Sequence, residues 1–148
     1  MKKYLFLLAV IPFFVCSSCD DDDDKQITFD RLPAESQLFI ETHFKDATVR
    51  MVEVDNDGYD VYFSNGYDIE FYKSGEWKNV DGNYRELPAS FLMLSPFDII
   101  SAYVNDVYPR QFITEVDKDR SRNGFEVTLN SSLELIFEKD GAFRHIDY

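Results

Sequence analysis

The chain has 148 residues, of which 28 are Asp or Glu and 15 are Lys or Arg, for a formal net charge of −13. That balance excludes a nucleic-acid binder, because phosphates demand a basic footprint. It also excludes docking on anionic lipid head groups through the protein's own surface.

The first residues read as a leader. Lys2 and Lys3 supply a positive start, Tyr4 to Val15 an apolar run, and Cys16, Ser17, Ser18 and Cys19 a small-residue cleavage zone, the pattern of a secretory signal. The run is too short for a spanning helix, which takes about 20 residues. Lipoprotein signal peptidase cuts before a cysteine preceded by small residues. Cys19, behind Ser17 and Ser18, resembles that site better than Cys16, which follows Phe13, Phe14 and Val15. Residues 1–18 are therefore read as a lipoprotein signal peptide and Cys19 as the lipidated residue, although Cys16 stands where such sites usually have Leu. The alternative is an ordinary secreted protein with a Cys16–Cys19 disulfide or a spare thiol.

Asp20, Asp21, Asp22, Asp23 and Asp24 follow, then Lys25. Adjacent carboxylates repel one another and bury no apolar surface, so residues 19–28 are predicted to be an extended, solvated tether. The tract resembles the acidic export signal that some Gram-negative lipoproteins carry behind the lipidated cysteine; a plain spacer is the alternative. The implied address is across the inner membrane, as an outer-membrane lipoprotein facing the periplasm or the cell surface, held by the Cys19 lipid.

Leu32-Pro33-Ala34 opens a predicted helix, since Pro is tolerated in a first turn, with Leu38, Phe39, Ile40, His43, Phe44 and Ala47 on one side. Asp57-Gly58, Asn65-Gly66 and Ser74-Gly75 then divide four short runs, Val49–Val54, Tyr59–Ser64, Tyr67–Lys73 and Glu76–Val80. Asn and Asp before Gly favour tight hairpin turns because both accept positive φ. Leu87-Pro88-Ala89 opens a second helical stretch, and Ser95-Pro96-Phe97-Asp98 restarts it with a Ser cap ahead of a stripe of Ile99, Ile100, Tyr103, Val104 and Val107. Pro109 ends it. Asp117 to Arg122 reads as a solvated loop, after which Asn123-Gly124, Ser131-Ser132 and Asp140-Gly141 punctuate a second set of runs.

The two sets are copies. Gly58 to Asp81 lies on Gly124 to Asp147 at a constant offset of 66, with Gly58/Gly124, Val61/Val127, Phe71/Phe137, Lys73/Lys139, Gly75/Gly141 and Asp81/Asp147 identical. The predicted fold is α+β: two tandem helix-plus-antiparallel-meander repeats, residues 29–84 and 85–148, with helices packed on one face of the sheet.

Alternation assigns the faces. Tyr59, Val61, Phe63, Tyr67, Ile69 and Phe71 point inward, as do Phe125, Val127, Leu129, Leu133, Leu135 and Phe137. The opposite face is predicted to be open and acidic. Its candidate binding residues are Asp60, Tyr62, Asp68, Glu70, Tyr72, Thr128, Glu134 and Ile136.

These copies, with Gly58-Tyr59-Asp60-Val61-Tyr62-Phe63, Ile69-Glu70-Phe71, Lys73-Ser74-Gly75-Glu76-Trp77 and Glu138-Lys139-Asp140-Gly141-Ala142-Phe143 behind a lipoprotein leader, resemble the PepSY-like, β-lactamase-inhibitor-like family over Leu32 to Tyr148. The resemblance implies secreted or periplasmic proteins built of tandem αβ units, each copy here a PepSY-like repeat. It also implies an open sheet face of the kind with which inhibitors of that shape grip an enzyme. Copy two departs from copy one, with Thr128 in place of Tyr62 and Glu138 in place of Tyr72, so an aromatic-rich gripping surface would be confined to copy one.

Catalytic and metal readings find little to rest on. His43 and His145 have no Cys partner and no HExxH spacing, so they read as packing or surface residues. Glu53, Asp55, Asp57 and Gly58 faintly suggest a calcium loop, but Ser64 holds the closing position and a hairpin turn explains them better. Asp60 and Asp68 are expected to face one another across a hairpin, but an open sheet face offers no pocket to shift them toward catalysis. The expectation is no enzyme, no metal and no cofactor. The leading function is a non-enzymatic module that meets a basic or hydroxyl-rich envelope or secreted protein, with Tyr62 and Tyr72 as anchors. The alternative is a small-ligand or glycan-binding surface lipoprotein in which Tyr62, Tyr72 and Trp77 are stacking platforms. A plainer alternative is that outer tyrosines simply suit strands.

Overall fold

A computed structural model describes residues 25–119 and 123–147. The signal peptide, Cys19, the aspartate tract and residues 120–122 lie outside the described residues. The described chain forms β1 (Lys25–Ile27), a 3-10 turn (Phe29–Arg31), α1 (Ala34–His43), β2 (Val49–Val54), β3 (Gly58–Phe63), β4 (Asp68–Tyr72) and β5 (Trp77–Asp81). It continues through α2 (Ala89–Leu92), α3 (Phe97–Val107), β6 (Ile113–Asp119), β7 (Gly124–Leu129), β8 (Glu134–Glu138) and β9 (Phe143–Asp147).

All nine strands belong to one antiparallel sheet in the order β1-β2-β3-β4-β5-β6-β7-β8-β9. This corrects the prediction of two tandem helix-plus-meander repeats. The duplicated sequence survives strand by strand, β3 to β5 matching β7 to β9, but no boundary separates the copies. Asn79, Val80 and Asp81 of β5 pair with Asp117, Val116 and Glu115 of β6, which joins the halves by backbone hydrogen bonds. The helices do not repeat either, since one ten-residue helix precedes the first set of strands and a four-residue plus an eleven-residue helix precede the second. The sheet also starts earlier than predicted: Lys25–Ile27, placed in the tether, pairs with Val52–Val54 of β2.

Four hairpins share one turn. Phe63 O accepts from Gly66 N while Phe63 N donates to Tyr67 O, and the same pair of bonds closes Tyr72–Glu76, Leu129–Leu133 and Glu138–Ala142. The third loop residue takes positive φ in each: Gly66, Gly75, Ser132 and Gly141. In these turns Asn65, Ser74 and Asp140 stay at negative φ, against the expectation from the dipeptides, whereas Asn123 before Gly124 takes φ 60° as expected. The side chains of Asn65, Ser74 and Asp140 instead accept from the backbone two places on, Asn65 Oδ1 from Tyr67 N, Ser74 Oγ from Glu76 N and Asp140 Oδ1 from Ala142 N. Gly58 and Gly124 are needed for a different reason. A Cβ at either would stand 1.8 or 2.0 Å from the carbonyl oxygen of Phe71 or Phe137 on the neighbouring strand.

All twelve residues assigned to the inward face lie in the core or against it. The helices meet them with rings: Phe39 of α1 is edge-on to Phe71 and stacked on Trp77, Phe97 of α3 is edge-on to Phe125, and Tyr103 is edge-on to Phe137. Phe91 of α2 touches Phe39, Trp77 and Phe97 and so bridges the two halves. The core is therefore continuous, like the sheet. The helix faces are rotated from the predicted ones. Leu38 is 65% exposed and Ile99 half exposed, while Ser36 is buried and donates to Gly75 O at 2.9 Å. Pro33, Pro88 and Pro96 occupy the N-cap positions themselves, and Ser95 makes no cap bond.

Candidate functional site

The outward face of the sheet carries two rows of polar side chains running across the strands. Register places Glu53, Asp60, Glu70, Asn79, Asp117 and Glu126 side by side on β2 through β7. The next row holds Tyr62, Asp68, Asp81, Glu115, Thr128, Glu134 and Asp147 on β3 through β9. Neighbouring strands lie about 4.8 Å apart, and like charges directly opposite one another are destabilising. Ten carboxylates thus share one surface at a spacing that favours losing some of their charge.

The rows meet in a shallow groove of 260 Å³ lined by Asp60, Tyr62, Asp68, Glu70, Asn79, Asp81 and Glu115, with Val61 and Ile69 beneath. Two β-bulges shape it. One between Glu70 and Phe71 lets β5 fit an extra residue, Lys78, which reaches back to Glu70 at 2.6 Å. The other lies between Ile113 and Glu115 of β6 and turns Thr114 into the interior, where its hydroxyl donates to Thr128 O at 3.1 Å. Bulges commonly re-aim side chains beside functional surfaces.

Neutral amides, more than cations, satisfy these carboxylates. Buried Asn79 donates to Glu115 Oε1 at 2.7 Å and Asp117 Oδ2 at 3.2 Å. Asn83 donates from its side chain to Asp68 at 2.9 Å and from its backbone to Asp81 at 2.7 Å. Burial, with the charges of Glu70, Asp55 and Glu53 added, pushes the Asp60 carboxyl up to about 6. Burial raises Glu115 too, reinforced by Asp81, Asp117 and Glu134 and opposed by its bond from Asn79. Tyr62 is pushed up to about 12 by burial first and then by the surrounding carboxylates, and the Arg50 guanidinium lies 5.9 Å from its ring centroid.

The eight predicted site residues are not one cluster. Asp60, Tyr62, Asp68 and Glu70 come together in the groove. Thr128 and Glu134 continue the second row beyond it. Tyr72 stands at the far end of β4, opposite Gly58, and lines a different cavity. Ile136 has no exposed surface and lies outside the core cluster, so it is no part of an accessible face. Glu126 and His145 stand level with it on the flanking strands, and long side chains close over a central-strand aliphatic. Asn79, Asp81, Glu115 and Asp117 are absent from the prediction: alternation is applied to β3, β4, β7 and β8 alone, Asp117 reads as the start of a solvated loop, and β6 (Ile113–Asp119) is not read as a strand. The suspected calcium loop is a turn: Asp55 Oδ1 accepts from both Asp57 N and Gly58 N at 2.6 Å. Among the described residues no three acidic, His or Cys side chains are grouped to hold a metal ion.

A family model described as "Putative beta-lactamase-inhibitor-like, PepSY-like" matches residues 57–145. The chain belongs to the PepSY-like family. This PepSY-like protein is 32% identical to a Bacteroides thetaiotaomicron protein described as a "putative calcium-regulated periplasmic protein", with a TM-score of 0.77 over 86% of this chain and 99% of that one. A Bacteroides vulgatus periplasmic protein of the DUF2874 family is 34% identical, with a TM-score of 0.74 over 86% and 98% of the two chains. A second B. vulgatus periplasmic protein, described as of unknown function, is 25% identical, with a TM-score of 0.73 over 84% and 100%. No curated protein matches the chain. A secreted, periplasmic location fits the descriptions of all three solved relatives.

Proposed function

We propose that this PepSY-like protein is a non-enzymatic, lipid-anchored envelope module whose acidic sheet face docks a basic surface of another envelope or secreted protein. The supporting observation is the crowding of Asp60, Asp68, Glu70, Asp81 and Glu115 in one groove whose described lining contains no Lys or Arg. A partner's Arg or Lys placed there would relieve repulsion that the fold relieves only in part, through Asn79, Asn83 and the Lys78–Glu70 ion pair. Charge complementarity of this kind sets partner choice and association rate more than raw affinity. Tyr62 would serve as a rim anchor, already held by Arg50. The lipid on Cys19 would hold the face at the outer membrane.

The saccharide reading is weaker, because the ring faces it needs are engaged. Arg50 lies over Tyr62, and Lys118 lies 4.1 Å from the Trp77 ring centroid. The inhibitor reading carried by the family description and the calcium regulation printed for one relative enter as arms of a single experiment. A photo-crosslinking residue is placed at Thr128, beside the groove, or at exposed Leu38 on α1, and the lipidated protein is irradiated in intact cells. Crosslinks to a basic protein are expected from position 128 alone. They are expected to disappear when Asp60→Asn, Asp68→Asn and Glu115→Gln are combined. Equal crosslinking from Leu38, or crosslinks that survive neutralisation, would refute the assignment. Repeating the irradiation with calcium, and assaying a β-lactamase with the mature protein, tests those two properties separately.

A further inference from the structure

At the other end of the β5–β6 seam the sheet opens. Pairing between these strands covers three residues a side and stops at Asn79 and Asp117, whereas β6 and β7 pair as far as Asp119 and Gly124. Beyond the last pair, Trp77 and Lys118 stand on the two lips of a cavity of 580 Å³. The α2–α3 connection from Leu94 to Phe97 and Phe125 of β7 complete its apolar walls, and Lys139 of the β8–β9 turn lines it as well. This is the size and lining of a small-molecule site, mostly apolar with a few placed polar groups.

The walls are fixed by their own contacts. Trp77 and Phe97 lie 5.7 Å apart, and Phe97 is edge-on to Phe125 at 4.9 Å.

Its polar groups differ from those of the rest of the molecule. In a chain of net charge −13, the described lining carries Lys118 and Lys139 against one carboxylate, Glu76. Glu76 is already paired, its Oε1 lying 2.6 Å from Lys118 Nζ. Lys139 has no ion pair or hydrogen bond among the described residues, so within the described lining its charge is the one left to be met. We infer that this cavity binds a small molecule with a planar apolar body and one anionic group, the body against Phe97, Phe125 and the edge of Trp77, whose faces Lys118 and Phe39 already cover, and the anion at Lys139. The site shares no acidic side chain with the groove on the outward face and does not depend on the docking function.

Two probes with the same ring and opposite charge test it: 2-naphthoate and 2-naphthylmethylammonium, titrated into the mature protein and followed by 1H–15N NMR. Trp77 is the only tryptophan of the chain, so its indole N–H is a single resolved reporter in the wall, with the Gly124 amide a second. Naphthoate is expected to give saturable shifts at both reporters. Lys139→Glu, a change at an exposed turn residue without a partner, is expected to weaken naphthoate about tenfold or more while leaving the rest of the spectrum in place. Lys118→Met, which removes the lysine already paired with Glu76, is expected to have the smaller effect. The ammonium is expected to give no saturable shift. Absence of saturation with naphthoate, equal binding of both probes, or unchanged binding in Lys139→Glu would overturn the inference. Crosslinking from Thr128 should be the same in Lys139→Glu and wild type, so failure of one proposal is separable from failure of the other.

Discussion

Asp60 shows how a single residue carries the strain of the acidic face. Its carboxyl is raised from an ordinary value to about 6 because burial and the neighbouring Glu70, Asp55 and Glu53 all oppose ionisation. A carboxyl whose folded value lies above its unfolded one contributes stability that is complete below the unfolded value, about 3.9. That contribution is lost as pH rises through about 6. The ionised side chain is therefore a liability at neutral pH. Asp60→Asn, which keeps the shape and removes the charge, should raise the melting midpoint by a few degrees at pH 7.5 and leave it unchanged at pH 4. Thermal unfolding followed by circular dichroism at both pH values checks this, and an Asp60→Asn protein less stable at pH 7.5 would contradict it. His43 runs the opposite way: burial lowers its value, so its contribution is present above the unfolded value, about 6.5, and is lost as pH falls.

At the level of elements, the helices depend on the sheet. α2 has four residues, far below the length at which a helix is stable alone, and Phe91 holds it by inserting a fully buried ring among Phe39, Trp77 and Phe97. Phe91→Ala should cost about 3–5 kcal/mol, because it empties the point where the two halves of the core meet. Urea denaturation should show one earlier, still cooperative transition; two separated transitions would mean that the halves fold independently. The elements were the most legible part of the sequence. Period-two alternation through Tyr59–Phe71 and Phe125–Phe137 assigned the inward faces correctly, and the glycine turns marked the hairpins. Bulges leave no such signal. The extra residues at Lys78 and Thr114 shift the faces of β5 and β6, and β6 itself, with Asp117 read as loop, goes unread as a strand, so Asn79, Asp81, Glu115 and Asp117 are missed and the groove is left half drawn. Helix faces were misread at Leu38, Ile99 and Val107, since three- and four-residue spacing does not say which side of a short helix the sheet will take.

In the whole molecule, a duplicated sequence became one sheet. Repetition of Gly58–Asp81 at Gly124–Asp147 says that two segments share a local structure, but it says nothing about whether the last strand of one pairs with the first of the next. The β5–β6 ladder decides that, and three paired residues are enough to carry both polar rows across the join. The acidic face is a property of this continuity: neither half alone would set Asp60, Asp68 and Glu70 beside Glu115 and Asp117. Surface electrostatics of this sort fades with salt, so docking through the face should weaken as ionic strength rises, whereas binding in the aromatic cavity should change less.

The most direct measurement is the carboxyl 13C titration of Asp60 in the free protein and in complex with the partner captured from Thr128. The account predicts a value of about 6 in the free protein and a fall of about one unit or more once a basic side chain enters the groove. An ordinary value near 4 in the free protein, or a raised value that binding leaves unchanged, would contradict it.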